Sequence, residues 1–429
     1  MNLAQIVTGP IILGLLIAST SLPAEAADTA LTLQEAQKVA IDRSRLLTSK
    51  DYAAAAARDM ATAAGELPDP VLKVGIDNLP VEGAERFSLG RESMTMRRIG
   101  VMQDLPRAEK RRLRSQRFEH EAEKSLAEKA ALAATIERDT AVAWLNLYYA
   151  QRMGALVSEQ LEQAKQEIKA VEAAYRSGTS KQAEILSAQS NVSQLENRKS
   201  EIERRLRDAR IALARWVGEA AQLPIAGEPN IHEVRLDLAN IERELNHHPE
   251  LAVATKQQEI ATAEANLARA DRKADWSVEL AFQQRGSGYS NMVSLGVSIP
   301  LQWNRKNRQD RELSARLAQV EEARAVRDEM LRAHVAELEA MINEWKTNQD
   351  RHARYVRELI PLARSRVDAQ MASYRGGKAS QAEVLTARRE ETEMQLQAVE
   401  LETEIARLWA QINFLVPNTS RLHTPFVSN

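Results

Sequence analysis

Apolar positions recur every seventh residue along two long stretches of this chain. Ile136, Ala143, Ala150, Val157, Ala164 and Val171 form the first stripe, with Leu147, Leu161 and Ile168 in an offset seam. Val335, Ile342, Val356, Ile360, Ala363 and Val367 carry the pattern again, interrupted by the polar residues Gln349 and Gln370. A strict seven-residue repeat keeps a narrow stripe facing a partner and makes helices supercoil. Each stripe runs into a glycine turn, Tyr175-Arg176-Ser177-Gly178 in one case and Tyr374-Arg375-Gly376-Gly377 in the other, at an offset of 199 positions. Beyond the turns a second seam begins. Ile185, Ala188, Val192, Leu195, Ile202, Leu206, Ala209, Leu213 and Trp216 are copied by Val384, Ala387, Met394, Ala398, Leu401, Ile405, Leu408, Ile412 and Leu415. The pattern predicts, in each half, a long helix, a turn and a long helix running back as a coiled coil.

Two segments switch from the helical period to a period of two. Leu72, Val74 and Ile76 alternate with Lys73, Gly75 and Asp77, and Met94–Gln103 returns with imperfect alternation. Val278, Leu280 and Phe282 share one face; after the turn-rich 285–290 stretch, Val293, Leu295, Val297, Ile299 and Leu301 alternate with small residues and Pro300. Each run is about ten residues, the length of a tilted membrane strand. Four strands cannot close a barrel, and open edges invite pairing with another chain. Three copies around an axis would supply twelve strands, within the 8 to 26 of bacterial membrane barrels. The alternative is a small sheet packed on the helices in water. Trp276 and Trp303 flank the second hairpin at one end, as in an interfacial aromatic belt. Basic runs follow both hairpins: Arg107, Lys110, Arg111, Arg112 and Arg114, then Arg305, Lys306, Arg308 and Arg311. Positive charge opposes the dipole at a helix start, so something else should favour it. Trp276, Trp303, Arg111, Arg112, Arg305 and Arg308 are therefore candidates for the membrane interface, against the plainer reading of a solvated charge run.

Composition narrows the class. Charged residues make up 28% and aromatics 4%, which is long-helix composition, and a net charge of −2 offers no bulk attraction to nucleic acid. The chain has no cysteine, which excludes disulfides, thiol catalysis and an N-terminal lipidated Cys. The apolar stretch 11–18 followed by Ala24-Glu25-Ala26 reads as a signal peptide over residues 1–26, although it has no Lys or Arg before the apolar core. No later run reaches the roughly 18 apolar residues of a membrane helix. No nucleophile–base pair, phosphate loop or catalytic constellation is visible, so no enzyme and no cofactor is expected. His247 and His248 precede Pro249 and read as a helix entry rather than a metal site, since no further ligand lies nearby in sequence.

The opening Leu31-Thr-Leu-Gln-Glu-Ala-Gln-Lys-Val-Ala40, the duplicated Tyr-Arg-x-Gly motif and His248-Pro-Glu-Leu251 make the chain resemble the TolC-like outer-membrane factor family. It is most similar to the cobalt-zinc-cadmium and copper efflux subclass, through Leu67-Pro-Asp-Pro70, Asn78-Leu-Pro80, Gly100-Val-Met-Gln-Asp-Leu-Pro106 and Tyr289-Ser-Asn-Met-Val-Ser-Leu-Gly-Val-Ser-Ile-Pro300. The resemblance implies a mainly α fold with a small β part. A long coiled-coil α-helical barrel would hang into the periplasm of a Gram-negative cell, and each chain would give four strands to a 12-stranded trimeric transmembrane β-barrel. The expected division is a first repeat at 27–217 with its hairpin at about 70–105, a connector at 218–247, a second repeat at 248–417 with its hairpin at about 275–303, and a tail at 418–429. A helix from about Arg107 to Val171 would run roughly 100 Å. The implied partners are two further copies, a periplasmic adaptor, an inner-membrane RND pump and outer-membrane lipid. The implied cargo is heavy-metal cations, with drugs or organic solutes as the alternative; a periplasmic coiled-coil adaptor is a competing class. In the family the turn docks the adaptor, which carries Tyr175, Arg176, Gly178, Tyr374, Arg375 and Gly377 over as contacts. Glu383 matches a pore-constricting aspartate, with Glu184 as its counterpart, whereas Thr386 replaces a second gate aspartate. Ser380-x-x-Glu383 also reads as a capping box.

Overall fold

The computed structural model describes residues 30–178, 180–236, 240–246 and 248–415. The signal segment, the 418–429 tail and His247 lie outside the described residues. Helix α1 (Leu33–Arg43) starts at a capping box in which Thr32 and Glu35 satisfy each other's amides, and Ser44 caps α2 (Arg45–Gly65). Strands β1 (Val71–Asp77) and β2 (Met96–Leu105) follow, then the 69-residue α3 (Ala108–Arg176) and its return helix α4 (Gln182–Val217). After a short α5 (Ile241–Leu245), the order helix, hairpin, long helix, return recurs. It comprises α6 (Pro249–Asp271), β3 (Trp276–Gln284), β4 (Met292–Ser298), α7 (Gln309–Arg354), α8 (Ile360–Arg375) and α9 (Gln381–Asn413).

Every heptad position read on α3, from Ile136 to Val171, is buried. The helix packs against α2, α4, α6 and α9, and its stripe meets residues of α4 and α9 in the same small clusters. The second half departs from the expected spacing. Val356, read as a seam position, is 51% exposed. The cause is a π-helical turn at Tyr355–Leu359, in which the Ile360 amide donates to the Tyr355 carbonyl five residues back. Pro361 has no N–H for the Arg357 carbonyl, and its ring clashes with that group in a regular helix. The wider turn accommodates both and rotates Val356 out of the seam.

The principal core lies midway along the helices, where three indoles anchor non-helical chain. Trp144 donates to the Leu31 carbonyl at 2.9 Å, Trp345 to that of Ile231 at 3.3 Å and Trp409 to that of Glu233 at 2.7 Å. Ile231 and Leu245 of the connector are themselves core residues. The connector is thereby stitched to α7 and α9, and Leu31 to α3, by hydrogen bonds that spare buried carbonyls the cost of going unpaired.

The strands form one antiparallel sheet in the order β1-β2-β3-β4. The two hairpins are joined through β2 and β3, with Ile99 opposite Phe282 and Val101 opposite Leu280. At the junction of sheet and helices, Lys110 is 3% exposed and pairs with Asp271 at 3.1 Å and Asp275 at 2.9 Å. The Arg107 amide also donates to Asp275, at 3.1 Å. The positive charge of Lys110 at the start of α3 is thus favoured by carboxylates from the second half of the chain, while the Arg107 guanidinium donates to the Ala274 carbonyl at 3.2 Å.

Candidate functional site

The cross-strand register sorts the sheet into two unlike faces. Leu72, Val101, Leu280 and Leu295 form one continuous row; Val74, Ile99, Phe282 and Val293 form the next. All eight are exposed, Leu295 to 73%. At one end of this band Arg97 and Gln284 share its face, and at the other Leu105 faces Trp276. The opposite face is small and charged. Glu279 accepts from Lys73 at 2.7 Å and pairs with Arg98, which also lies 3.8 Å from Asp77. Beside them, Gln283 donates to Ser294 at 2.6 Å. A sheet closed on itself with this polarity has an apolar exterior and a wet, ion-paired interior. Among the described residues the outer edges of β1 and β4 have no strand partner.

Trp276 starts β3 and is half exposed, and Trp303, beyond β4, is 86% exposed. Arg112 and Arg308 are exposed as well. Arg111 instead donates to the Gly65 carbonyl at 3.2 Å, and Arg305 lies 3.6 Å from Asp310.

The two turns lie at the far end of the helices. Gly178 has φ +77° and Gly377 φ +70°, and a Cβ at either would meet no atom. The glycines are there for conformation, since the left-handed region reverses the chain without Cβ strain. Amides of Gly376, Gly377 and Lys378 close on the carbonyls of Ala372, Tyr374 and Ser373. Tyr175, Arg176 and Arg375 are exposed, whereas Tyr374 is half-buried. Val171, Ala188 and Leu385 pack together beneath, which brings the start of α9 against the α3–α4 turn. Glu383 completes a capping box: its carboxylate accepts from the Ser380 amide at 2.7 Å, and the Ser380 hydroxyl accepts from its amide at 3.4 Å. The bond from the Ser380 amide, and then the one that the Ser380 hydroxyl donates to the same carboxylate at 3.0 Å, hold the Glu383 carboxyl below the usual carboxylate range. Glu184 is bonded differently, accepting from the Ser180 hydroxyl with no box at Lys181.

One grouping was not foreseen. His248 caps α6, its Nδ1 accepting from the Glu250 amide at 3.2 Å, and α7 brings His334 to a ring-centroid distance of 4.7 Å. Burial, and then the facing His334, push the His248 imidazole down to about 4, so it is neutral near pH 7. No local spacing links His248 to His334, because α6 and α7 meet only after the intervening hairpin forms.

A family description, outer membrane efflux protein, matches residues 40–219 and again residues 240–416. The chain belongs to the outer membrane efflux protein family. Its members are non-enzymatic transport ducts, and membership excludes the adaptor class. Solved structures agree in fold. The outer-membrane channel OprN superposes at TM-score 0.73 with 17% identity, over 89% of either chain. VceC of Vibrio cholerae gives 0.72 and 18%, over 89% of this chain and 95% of that one. CusC, described for transmembrane channel formation, gives 0.75 and 15%, over 89% and 91%. No curated protein matches in sequence. Among the described residues of this efflux protein no helix is long and apolar enough to cross a membrane.

Proposed function

We propose that three copies of this chain close a 12-stranded barrel in the outer membrane and form a passive exit duct. The observation that carries this is the sheet: two unbroken apolar rows outside, an ion-paired face inside, and two edges open for a neighbour. The duplicated halves, 27–217 and 248–417, would each give one hairpin to the barrel and one helical hairpin to the periplasmic tube, with 218–247 as the girdle between them. The interface residues would be Trp276, Trp303, Arg112 and Arg308, with Arg111 and Arg305 held by local partners. Energy would come from an inner-membrane RND pump through an adaptor docked at Tyr175, Arg176, Gly178, Tyr374, Arg375 and Gly377.

At the tip, Glu383 and Glu184 would ring the axis and favour cations. Capping and gating are separable by substitution. Glutamine keeps the capping acceptor and removes the charge, whereas alanine removes both. In planar bilayers the purified protein is expected to conduct as a trimer, with cation selectivity reduced in both Glu383→Gln and Glu383→Ala. Selectivity lost only in the alanine variant would assign Glu383 to capping alone, and a monomeric, non-conducting protein would remove the duct itself.

Heavy-metal export rests on the subclass motifs, from Leu67-Pro-Asp-Pro70 to Tyr289–Pro300. Deleting the gene is expected to lower tolerance to one or more of zinc, cobalt, cadmium, copper and silver while leaving drug tolerance unchanged. The reverse result would favour organic solutes as cargo.

A further inference from the structure

We propose that His248, Glu250 and His334 form a binding site for a divalent ion of zinc or copper(II) character, which fastens the start of α6 to α7. One ligand atom from each residue lies within 4.8 Å of the others. Two imidazoles and one carboxylate are a donor set for borderline transition metals, with the remaining position left to water. Magnesium and calcium, which need oxygen donors, would find too few.

The plain structural account covers only part of this arrangement. His248 is a helix cap and Glu250 a first-turn acid, both of which suit the start of α6. Neither role requires His334. Its Nε2 is enclosed and makes no hydrogen bond, although it lies 3.1 Å from Glu250 Oε2. Its Nδ1 faces the Glu337 carboxylate at 3.9 Å, the side from which outer carboxylates orient metal-bound imidazoles. An ion would give Nε2 the directional bond that the Glu250 contact does not make, and His248 would exchange its capping bond for a metal bond. A second grouping, His120 with Glu123 and Glu259, differs because the Lys256 ammonium already lies 2.9 Å from both carboxylates. That ammonium already occupies both carboxylates and would compete with a cation for them, so the second grouping serves as an internal control.

The site does not depend on the cargo of the duct. Chelator-stripped full-length protein in detergent is to be titrated with zinc and, separately, magnesium by calorimetry. About one zinc per chain is expected at micromolar affinity or tighter, with no magnesium response. His334→Ala and Glu250→Gln should each weaken zinc binding at least ten-fold, and His120→Ala should leave it unchanged. Thermal melts without metal should match the wild type for His334→Gln, while the zinc-dependent rise in Tm disappears. Absence of zinc binding, or binding indifferent to His334→Ala and Glu250→Gln, overturns the site. Channel conductance is a separate readout, so failure here leaves the duct untouched.

Discussion

Leu280→Arg is expected to cost about 2–4 kcal/mol per chain in a lipid bilayer, where an arginine replaces an apolar residue facing hydrocarbon. Leu280 occupies the middle of a complete row, between Val101 and Leu295, and is exposed in the single chain. No protein atoms await a guanidinium there, and nothing within the chain compensates it. In a trimer the effect enters once per subunit, so the loss should appear as failure of the trimer to survive mild denaturant in lipid. Gln283→Arg is the matched control, since Gln283 sits on the charged face of the same strand beside Ser294. It should shift the denaturation midpoint little. Equal losses at the two positions would show that the faces of the sheet are assigned the wrong way round.

The second large effect lies far from the membrane. Trp144 is 1% exposed, stacks on Tyr148 at 5.4 Å and donates to the Leu31 carbonyl. Trp144→Ala should cost about 3–5 kcal/mol, the range for emptying an aromatic site in a packed core. Trp144→Phe keeps most of the ring but removes the indole N–H from the Leu31 carbonyl, which keeps only the Ala226 amide at 3.4 Å, at about 1 kcal/mol. Urea unfolding followed by helical circular dichroism would rank the two. A phenylalanine variant as damaging as alanine would mean that the hydrogen bond, rather than the volume, secures the N-terminal segment.

These two cases mark what the sequence reveals and what it does not. The α3 seam is legible because six apolar residues at seven-residue spacing have only one way to stay dry. The tip turns are legible because a glycine between two such seams has to reverse the chain. Strand β2 is harder to read, because Arg97 and Gln103 share the face of Ile99 and Val101 and break the alternation where the apolar band ends. Pro361 was visible in the sequence, but its consequence was not, since a proline in a long helix can kink, break or widen it. The pairing of β2 with β3 and the meeting of His248 with His334 depend on contacts between halves. No local pattern encodes those. The same holds for Lys110, which reads as one more member of a basic run until Asp271 and Asp275 are seen beside it.

That buried ammonium also constrains the order of assembly. One of its counter-ions lies 165 positions downstream. A polypeptide delivered N-terminus first therefore carries an unneutralised cation at its first strand–helix joint until most of the sequence has arrived. The first hairpin and the long helix behind it cannot settle early, and closure of the chain becomes a late, concerted event dominated by distant pairings. Fragments ending before residue 271 should then stay unassembled, however well their own helices form.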